Sequence, residues 1–437
     1  MNNHIYKLVL VVFLLSSIAY SQKIRPVSKT EILTKVTEEN TSIKISREEF
    51  NQAKADYRQT HAVFLPNITA SYTGMATTNP LMAFGSKLNQ EILTQNDFNP
   101  ALLNDPSQIE NYATRFEIQQ PLINLDGIYQ RKAAKANMKA MSLQTQRAID
   151  YLVFEVDKAY MQLQLAYKAI DVLQKVLEAA NANRKLANDS YKQGYLQRAD
   201  VLAVEVRVTE VQNQLQMAKS NVKNASDYLS FLMNEKEYTT YQPVDSLTIR
   251  TLQPKEHIGI SENRSDIKAM QLASNAYGAM NKADKMAFLP RLNAFGSYEL
   301  YDDEIFRADA SGYIFGAQMK WNLFEGSKRF GKAQKSKAEF EKSKLEYEQY
   351  VSQSNLELNK VKRMLVDAEN KLKLTTLALQ QSEESLRIRT NRFKEGLEKT
   401  TDLLMAETQY AQKQLEYYQT IFEYNHAQAY LQFLTKE

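Results

Sequence analysis

Few residues in this sequence have the type and spacing that catalysis or metal binding requires. The chain contains no cysteine, and its four histidines, His4, His61, His257 and His426, lie far apart in different predicted elements. Thiolate ligands, disulfides and a histidine-based metal site are therefore not predicted. The motifs GxSxG and HExxH and a glycine-rich phosphate loop do not occur either. We predict a protein that is not an enzyme and that binds no cofactor or metal.

Carboxylates are numerous, but two of them occur in a repeated setting. The totals of 55 basic and 51 acidic residues leave a formal charge of only +4, and this balance gives no support to nucleic-acid binding. Asp200 and Asp402 each follow a glycine, Gly194 and Gly396, by six residues. Such glycines end helices and such aspartates begin them. A further functional role for these residues is open at this point.

The two settings belong to an internal duplication. Three sequence anchors occur twice in the same order, and the two copies of each anchor are about 200 to 225 residues apart. The anchors are Phe64–Tyr72 with Phe288–Tyr298, Asn124–Gly127 with Leu323–Gly326, and Tyr191–Glu205 with Phe393–Glu407. We therefore predict two copies of one unit of strands and helices.

Each copy contains two segments in which apolar and polar residues alternate with the period of a β-strand. The apolar positions are Ile68, Ala70 and Tyr72, then Tyr112, Thr114, Phe116 and Ile118, and in the second copy Leu292, Ala294 and Tyr298, then Tyr313, Phe315, Ala317, Met319 and Trp321. Segments of about 9 to 11 residues are long enough to cross a bilayer as tilted strands. A half-buried strand of a soluble sandwich alternates in the same way. The membrane interpretation predicts lipid contact at Ile68, Tyr72, Phe116, Ile118, Tyr298, Phe315 and Trp321.

The segments after each strand pair have helical periodicity over unusual lengths. No proline lies between Pro121 and Pro243 or after Pro290, so no proline interrupts these helices. The first helix has two apolar stripes, which indicate two neighbours: Val156, Tyr160, Leu163, Tyr167 and Ile170, and Leu152, Ala159, Ala166, Leu173 and Ala180. A helix over about 128–190 is on the order of 90 Å long. Such a length favours a hollow helical cylinder over a soluble globular core.

The first residues predict secretion. Lys7 precedes an apolar run of about 11 residues, Leu8 to Ile18, and Ala19-Tyr20-Ser21 provides small residues for cleavage before Gln22. The run is too short for a spanning helix, and no cysteine is present for lipid attachment. Any insertion into a membrane must then be made by β-strands. Because four strands cannot close a barrel and lipid tolerates no open sheet edge, we expect the strands to close with those of other subunits.

On these features the sequence resembles the TolC-type outer-membrane efflux proteins over nearly the whole chain after the signal. The most specific shared feature is the pair of glycine and aspartate turns at equivalent places in the duplicated unit. The resemblance implies an α plus transmembrane β fold, in which four strands per chain contribute to a homotrimeric twelve-stranded barrel in the bacterial outer membrane. A long α-helical barrel continues it in the periplasm. The implied function is a passive duct of a tripartite efflux or type I secretion system, opened by a periplasmic adaptor protein and driven by an inner-membrane transporter.

The resemblance assigns the two turns to the periplasmic end of the duct. It implies adaptor contact at Gly194, Tyr195, Leu196, Gly396, Leu397 and Glu398, and a gate at Asp200 and Asp402. The chain departs from the family pattern at Glu398, where a gate-locking arginine is usual, and at Met405, where some members have a second aspartate. We therefore predict that the closed state uses another cation, Arg198 or Lys399.

The sequence divides into eight predicted segments. These are a signal peptide (1–21), an N-terminal helical segment (22–63), a first strand pair (64–124) with an extracellular loop (79–111), a first helical hairpin (125–235), a linker at the middle of the duct (236–262), a helical segment (263–287), a second strand pair (288–322) and a second helical hairpin (323–437). The loop either constricts the mouth or only decorates it. The main alternative function is a structural or adhesive coiled-coil protein of the envelope, and a diffusion porin fits the long helices poorly.

Overall fold

The computed structural model describes residues 24–237, 239–251 and 259–436, so the predicted signal peptide, His4 and His257 lie outside the described residues. The chain forms two compact units, each assembled from separate chain segments. The sheet unit contains residues 47–144 and 266–350. The helical unit contains the described residues of 1–46, 145–265 and 351–437.

The elements follow the order that the duplication predicts, a strand pair and then a helical hairpin, twice. The strands of the described residues are β1 (Ile24–Val27), β2 (Asn67–Thr77), β3 (Ile109–Ile123), β4 (Thr240–Pro243), β5 (Arg291–Asp302) and β6 (Ala310–Lys320). The helices are α1 (Lys29–Glu39), α2 (Thr41–Gln59), α3 (Pro80–Asn89), α4 (Pro100–Asn104), α5 (Leu125–Lys192), α6 (Arg198–Leu232), α7 (Ser265–Met286), α8 (Lys328–Lys394) and α9 (Thr400–Leu434). Short 3-10 helices cover Thr60–Val63 and Gln95–Phe98.

The sheet unit is built on one antiparallel sheet with the strand order β2-β3-β5-β6. Its register places the predicted apolar positions opposite one another. Ile68 faces Ile118 across β2 and β3, and Tyr298 of β5 lies between Phe116 and Tyr313. Because side chains alternate between the two faces of a strand, this register collects the apolar positions on one face of all four strands. Strands β2 and β6 form the edges, and neither has a second neighbour among the described residues.

The helical unit is held together by the buried sides of α5. Helix α5 has 68 residues, which corresponds to about 100 Å at a rise of 1.5 Å per residue. One side, with Val156 and Tyr160, shares a core with Leu229 of α6. Another side places Met161 against Ile421 of α9. The prediction of two neighbours is confirmed. Most residues of the two predicted stripes lie in or beside cores shared with α6, and the core around Leu173 also includes Leu415 of α9. Met161, which belongs to neither stripe, also packs with α9.

The start of the helical unit differs from the prediction. Residues 22–63 were expected to be helical, but β1 at residues 24–27 pairs in parallel with β4, which lies inside the predicted linker 236–262. The Tyr167 hydroxyl donates to the Tyr241 carbonyl of β4 at 3.0 Å, and Tyr241 is fully buried. The predicted linker therefore supplies part of a core. Helix α1 begins directly after β1, where the Ser28 hydroxyl accepts a hydrogen bond from the Glu31 N–H at 3.2 Å.

The predicted extracellular loop, 79–111, is largely folded and contains α3 and α4. Pro80 and Pro100 occupy the first turn of these helices, each directly after an asparagine whose side chain caps the helix, Asn79 and Asn99. Proline suits this position because no helical hydrogen bond needs the N–H that it lacks. Both prolines lie in the segment that was predicted as a loop, whereas they start helices.

Candidate functional site

Both hairpins reverse direction through the same backbone geometry. Gly194 has a φ of 82° and Gly396 a φ of 72°, in the left-handed region where a Cβ atom introduces strain. Each glycine N–H donates to the carbonyl three residues earlier, at 2.9 and 3.0 Å, and the next N–H donates to the carbonyl five residues earlier, at 2.9 Å in both turns. This pair of hydrogen bonds is a Schellman motif, which satisfies the last carbonyls of a helix.

Side chains close the first turn mainly through apolar contact. Leu196 packs against a small core that contains Ala187, Val201 and Val204, so this predicted adaptor-contact residue is partly covered by its own hairpin. The Asp200 carboxylate accepts a hydrogen bond from the Gln197 N–H at 3.1 Å and so caps α6. Tyr195 extends from the turn and is 79% exposed.

An ion cluster closes the second turn. The Glu398 carboxylate accepts hydrogen bonds from Arg389 at 2.6 Å and from Arg392 at 2.8 Å, and its side chain is only 11% exposed. Arg392 also donates to the Leu397 carbonyl at 3.3 Å, so it holds the turn backbone as well. Leu397 itself is 66% exposed. The Asp402 carboxylate has no hydrogen bond within the part of the chain that the structure describes.

The cations that pair with Glu398 were not predicted from the sequence. Arg198 and Lys399 were the predicted gate cations, but neither makes an ion pair with any described residue of this chain, and Lys399 provides no side-chain cap to α9. Arg389 and Arg392 lie three residues apart near the end of α8. These two arginines on one side of the helix, together with the acidic Glu398 two positions after Gly396, are the sequence signal from which the ion cluster could have been predicted. A role of Arg198 and Lys399 at the gate stays a prediction.

A buried polar contact joins the two hairpins above the turns. Asn183 of α5 donates a hydrogen bond to the Glu407 carboxylate of α9, and Glu407 is 9% exposed. Burial raises the pKa of Glu407, while the Asn183 hydrogen bond and the Arg207 charge act in the opposite direction. Arg207 of α6 is itself buried, and its Nε has no hydrogen-bond partner among the described residues.

The predicted lipid-facing residues are exposed on one face of the sheet. Their exposed fractions run from 42% for Tyr72 to 80% for Phe315, and the remaining members are Ile68, Phe116, Ile118, Tyr298 and Trp321. Trp321 lies just after β6, and its indole N–H donates to the Phe288 carbonyl at 3.0 Å. The opposite face is polar and contains an ion pair between Arg115 and Glu299 at 2.6 Å. One face is thus suited to an apolar environment and the other to water.

A sequence model of the family described as outer membrane efflux protein matches residues 32–235 and 260–435. The protein belongs to this outer membrane efflux protein family. No curated protein sequence is a significant match.

Solved structures of three bacterial membrane proteins share the fold at low sequence identity. A membrane protein from Pseudomonas aeruginosa has a TM-score of 0.82 at 16% identity, covering 96% of this chain and 95% of that chain. The outer membrane protein VceC from Vibrio cholerae has a TM-score of 0.77 at 16% identity, with coverages of 92% and 95%. The open state of the MtrE outer membrane channel from Neisseria gonorrhoeae has a TM-score of 0.76 at 17% identity, with coverages of 93% and 88%.

Family membership and fold confirm the predicted fold class and place this efflux-family protein in the outer membrane, with its long helices in the periplasm. Among the described residues, no helix combines the length and apolarity needed to cross a membrane. No group of His, Asp or Glu with the arrangement of a metal site is found in residues 24–237, 239–251 and 259–436.

Proposed function

We propose that the protein is the outer-membrane duct of a tripartite efflux or type I secretion system and that it works as a homotrimer. The observation that carries the proposal is the four-stranded sheet, which has an exposed apolar face and two edge strands, β2 and β6, without an outer neighbour among the described residues. Bacterial barrels have at least about eight strands, and an open edge in lipid leaves backbone groups unsatisfied. Pairing β2 of one copy with β6 of the next gives twelve strands from three copies.

The two hairpin turns support a role in docking and opening. Their glycines leave the turn surface small, and Tyr195 and Leu397 present exposed apolar side chains there. A periplasmic adaptor is the proposed partner for these turns, and an inner-membrane transporter acts through it. The chain supplies a passage, and the transporter supplies the energy.

A matched pair of charge substitutions on β6 tests the membrane-spanning sheet. Phe315 lies on the apolar face and Gln318 on the polar face. An arginine at the bilayer midplane costs about 2 to 4 kcal/mol on the lipid face of a barrel. Phe315→Arg should therefore reduce the detergent-extracted trimer, while Gln318→Arg should assemble normally. Equal yields, or a protein that salt removes from membranes, would instead favour the coiled-coil envelope protein.

Docking is tested by adding bulk at a turn glycine. Gly396→Arg places a cation and a long side chain at the second turn and adds backbone strain of roughly 1 kcal/mol, which is small for a hairpin with such long buried stripes. Export should fail in cells that contain the cognate adaptor and transporter, although the trimer forms. Gly331→Arg is the control, since a side chain there meets open space and no positive φ is involved. Normal export by Gly396→Arg would refute adaptor docking at this turn.

A further inference from the structure

The segment between β2 and β3 is a folded element with its own internal contacts. Lys87 forms an ion pair with Asp97 at 2.6 Å, and Asp97 also accepts hydrogen bonds from the N–H and hydroxyl of Thr94, both at 2.7 Å. The Lys87 and Thr94 hydrogen bonds lower the pKa of Asp97 to about 2, so the carboxylate stays charged at neutral pH. Phe84 and Phe98 meet edge to face at 5.7 Å. This segment, residues 78–108, is called the cap below.

A single glutamine shows over which face of the sheet the cap lies. Gln90, just after α3, donates from its amide nitrogen to the Glu110 carbonyl at 2.9 Å, to Asn111 Oδ1 at 2.9 Å and to the Asp302 carbonyl at 3.1 Å. In the β2–β3 register, Asn111 belongs with Arg115 on the polar face. Because the Asn111 side chain receives a hydrogen bond from the cap, the cap lies on the polar side of the sheet.

Burial of polar-face residues at the cap end of the sheet agrees with this placement. At the cap end of the sheet, Ala310 is 2% exposed and Glu299 is 7% exposed, and both belong to the polar face. Helix α3 packs against β3 and β6. On the apolar face of the same strands, Tyr298 and Tyr313 remain 47% and 73% exposed. The cap therefore covers the face that becomes the lumen in a closed barrel.

Helix α3 carries a second apolar side that no described residue of its own chain covers. Ala83, Ser86 and Gln90 form one buried side of the helix, and Gln90 on that side hydrogen-bonds to β3 and β5. On the opposite side of the helix, Leu81 is 81% exposed and Leu88 is 56% exposed. Between them, a Cβ atom at Gly85 would meet no atom within 4 Å. The positions i, i+4 and i+7 form one stripe on a helix, so α3 presents an apolar stripe with a small residue at its centre, toward the lumen.

We infer that the three copies of α3 meet through these stripes and close the extracellular mouth of the duct. The inference rests on the proposed trimer. Twelve strands spaced by about 4.8 Å and tilted by about 40° enclose a lumen about 24 Å across between backbones. Three helices of about 10 Å diameter fill a circle about 22 Å across. Because the two diameters are similar, the stripe of one copy of α3 can contact the stripes of the other two copies. This contact removes the apolar side chains from water.

Cysteine cross-linking tests this contact, because the chain has no native cysteine. Leu81→Cys and Leu88→Cys place a thiol on the stripe, and Ser71→Cys places one on the polar face of β2 as the control. Trimer formation is measured separately with an amine-reactive cross-linker. We expect oxidation to give disulfide-linked dimers from the two stripe variants and none from Ser71→Cys.

Access from outside the cell provides the second measurement. Labelling of Ser71→Cys by a bulky maleimide in intact cells should be slow, and adding Leu81→Asp and Leu88→Asp should accelerate it by charge repulsion between copies. An intact trimer with no disulfide and with fast labelling of Ser71→Cys overturns the closed mouth and leaves the duct function standing. Absence of a trimer overturns both proposals.

Discussion

The two hairpin turns have the same backbone and opposite side-chain chemistry. Gly194 and Gly396 are 202 positions apart, and this offset relates every residue of one turn to a residue of the other. Three pairs of corresponding positions differ in charge. Uncharged Ala187, Ser190 and Leu196 in the first turn correspond to charged Arg389, Arg392 and Glu398 in the second. Leu196 packs on Ala187 where Glu398 pairs with Arg389. An apolar contact in one copy is an ion cluster in the other.

This comparison distinguishes the features that both hairpin turns need for folding from the side-chain contact that can make one turn sensitive to its surroundings. The left-handed glycine and the Schellman hydrogen bonds are common to both turns because every such helix end must satisfy its carbonyls. The closing contact can be apolar or ionic. Only the ionic one responds to salt and charge, since the screening length falls from about 10 Å at 0.1 M salt to about 3 Å at 1 M. We therefore expect the second turn to be the responsive one.

The largest effect is expected from removing both cations of the second turn. Arg389→Ala with Arg392→Ala leaves the covered Glu398 carboxylate unpaired, which costs roughly 1 to 3 kcal/mol or more for a charged group. The turn should loosen, and single-channel conductance should rise. Adding Glu398→Ala should restore low conductance, because no unpaired charge remains. Leu196→Ala in the first turn is the comparison and should change conductance less.

A transplant of the first turn onto the second is expected to have the next largest effect. Arg389→Ala, Arg392→Ser and Glu398→Leu together reproduce the first turn at the second. The trimer should form, and the change in normalised conductance between low and high salt should disappear. A salt response as large as in the parent protein would show that the ion cluster is not the responsive element.

The buried carboxylate above the second turn predicts a moderate dependence on pH. Since burial raises the pKa of Glu407, its contribution to stability is present in acid and is lost as the pH rises from about 4.5 through the raised pKa. Glu407→Gln keeps an uncharged group at this position. Thermal dissociation of the trimer should therefore depend less on pH between about 4.5 and 7 in this variant. Glu205→Gln, at the more exposed equivalent position, is the control.

The smallest effects are expected at the two aspartates. Asp200→Ala removes a hydrogen bond worth about 0.5 to 1.5 kcal/mol, whereas Asp402→Ala removes only a favourable interaction with the helix dipole, about 0.3 to 1 kcal/mol. Hydrogen exchange at the start of α6 should increase more than at the start of α9. In the double variant, cation selectivity should fall, because six carboxylates leave the mouth of a trimer. Unchanged selectivity would limit both residues to helix initiation.

The features that could be predicted from the sequence are those with a local or repeated signature. Alternation fixes which residues share a strand face, so Ile68, Phe116 and Tyr298 were placed together before any pairing was known. The repeated glycine and aspartate spacing located both turns, since only a few residues can leave a helix in the left-handed conformation.

The features that were missed depend on contacts without a fixed spacing. Glu398 is nine residues from Arg389, and the turn between them decides whether they meet. The parallel pairing of β1 with β4 joins four-residue strands more than 200 positions apart, which leaves no local pattern. The helices of the cap were missed for a different reason. The two Asn-Pro pairs are a local signal for the start of a helix, but the segment that contains them was predicted as a loop.

The contacts between the start and the end of the helical unit have a consequence for its folding. Lys436 binds Asp150 at 2.6 Å and Arg147 donates to the Phe433 carbonyl at 3.1 Å, contacts that join residues 286 positions apart. Contacts between such distant residues form slowly. During secretion the start of the chain emerges first. The apolar sides of α5 are therefore exposed to water until α9 has emerged and packs against them. A product cut short before α9 cannot complete this unit, and its uncovered surface marks it for proteolysis instead of assembly.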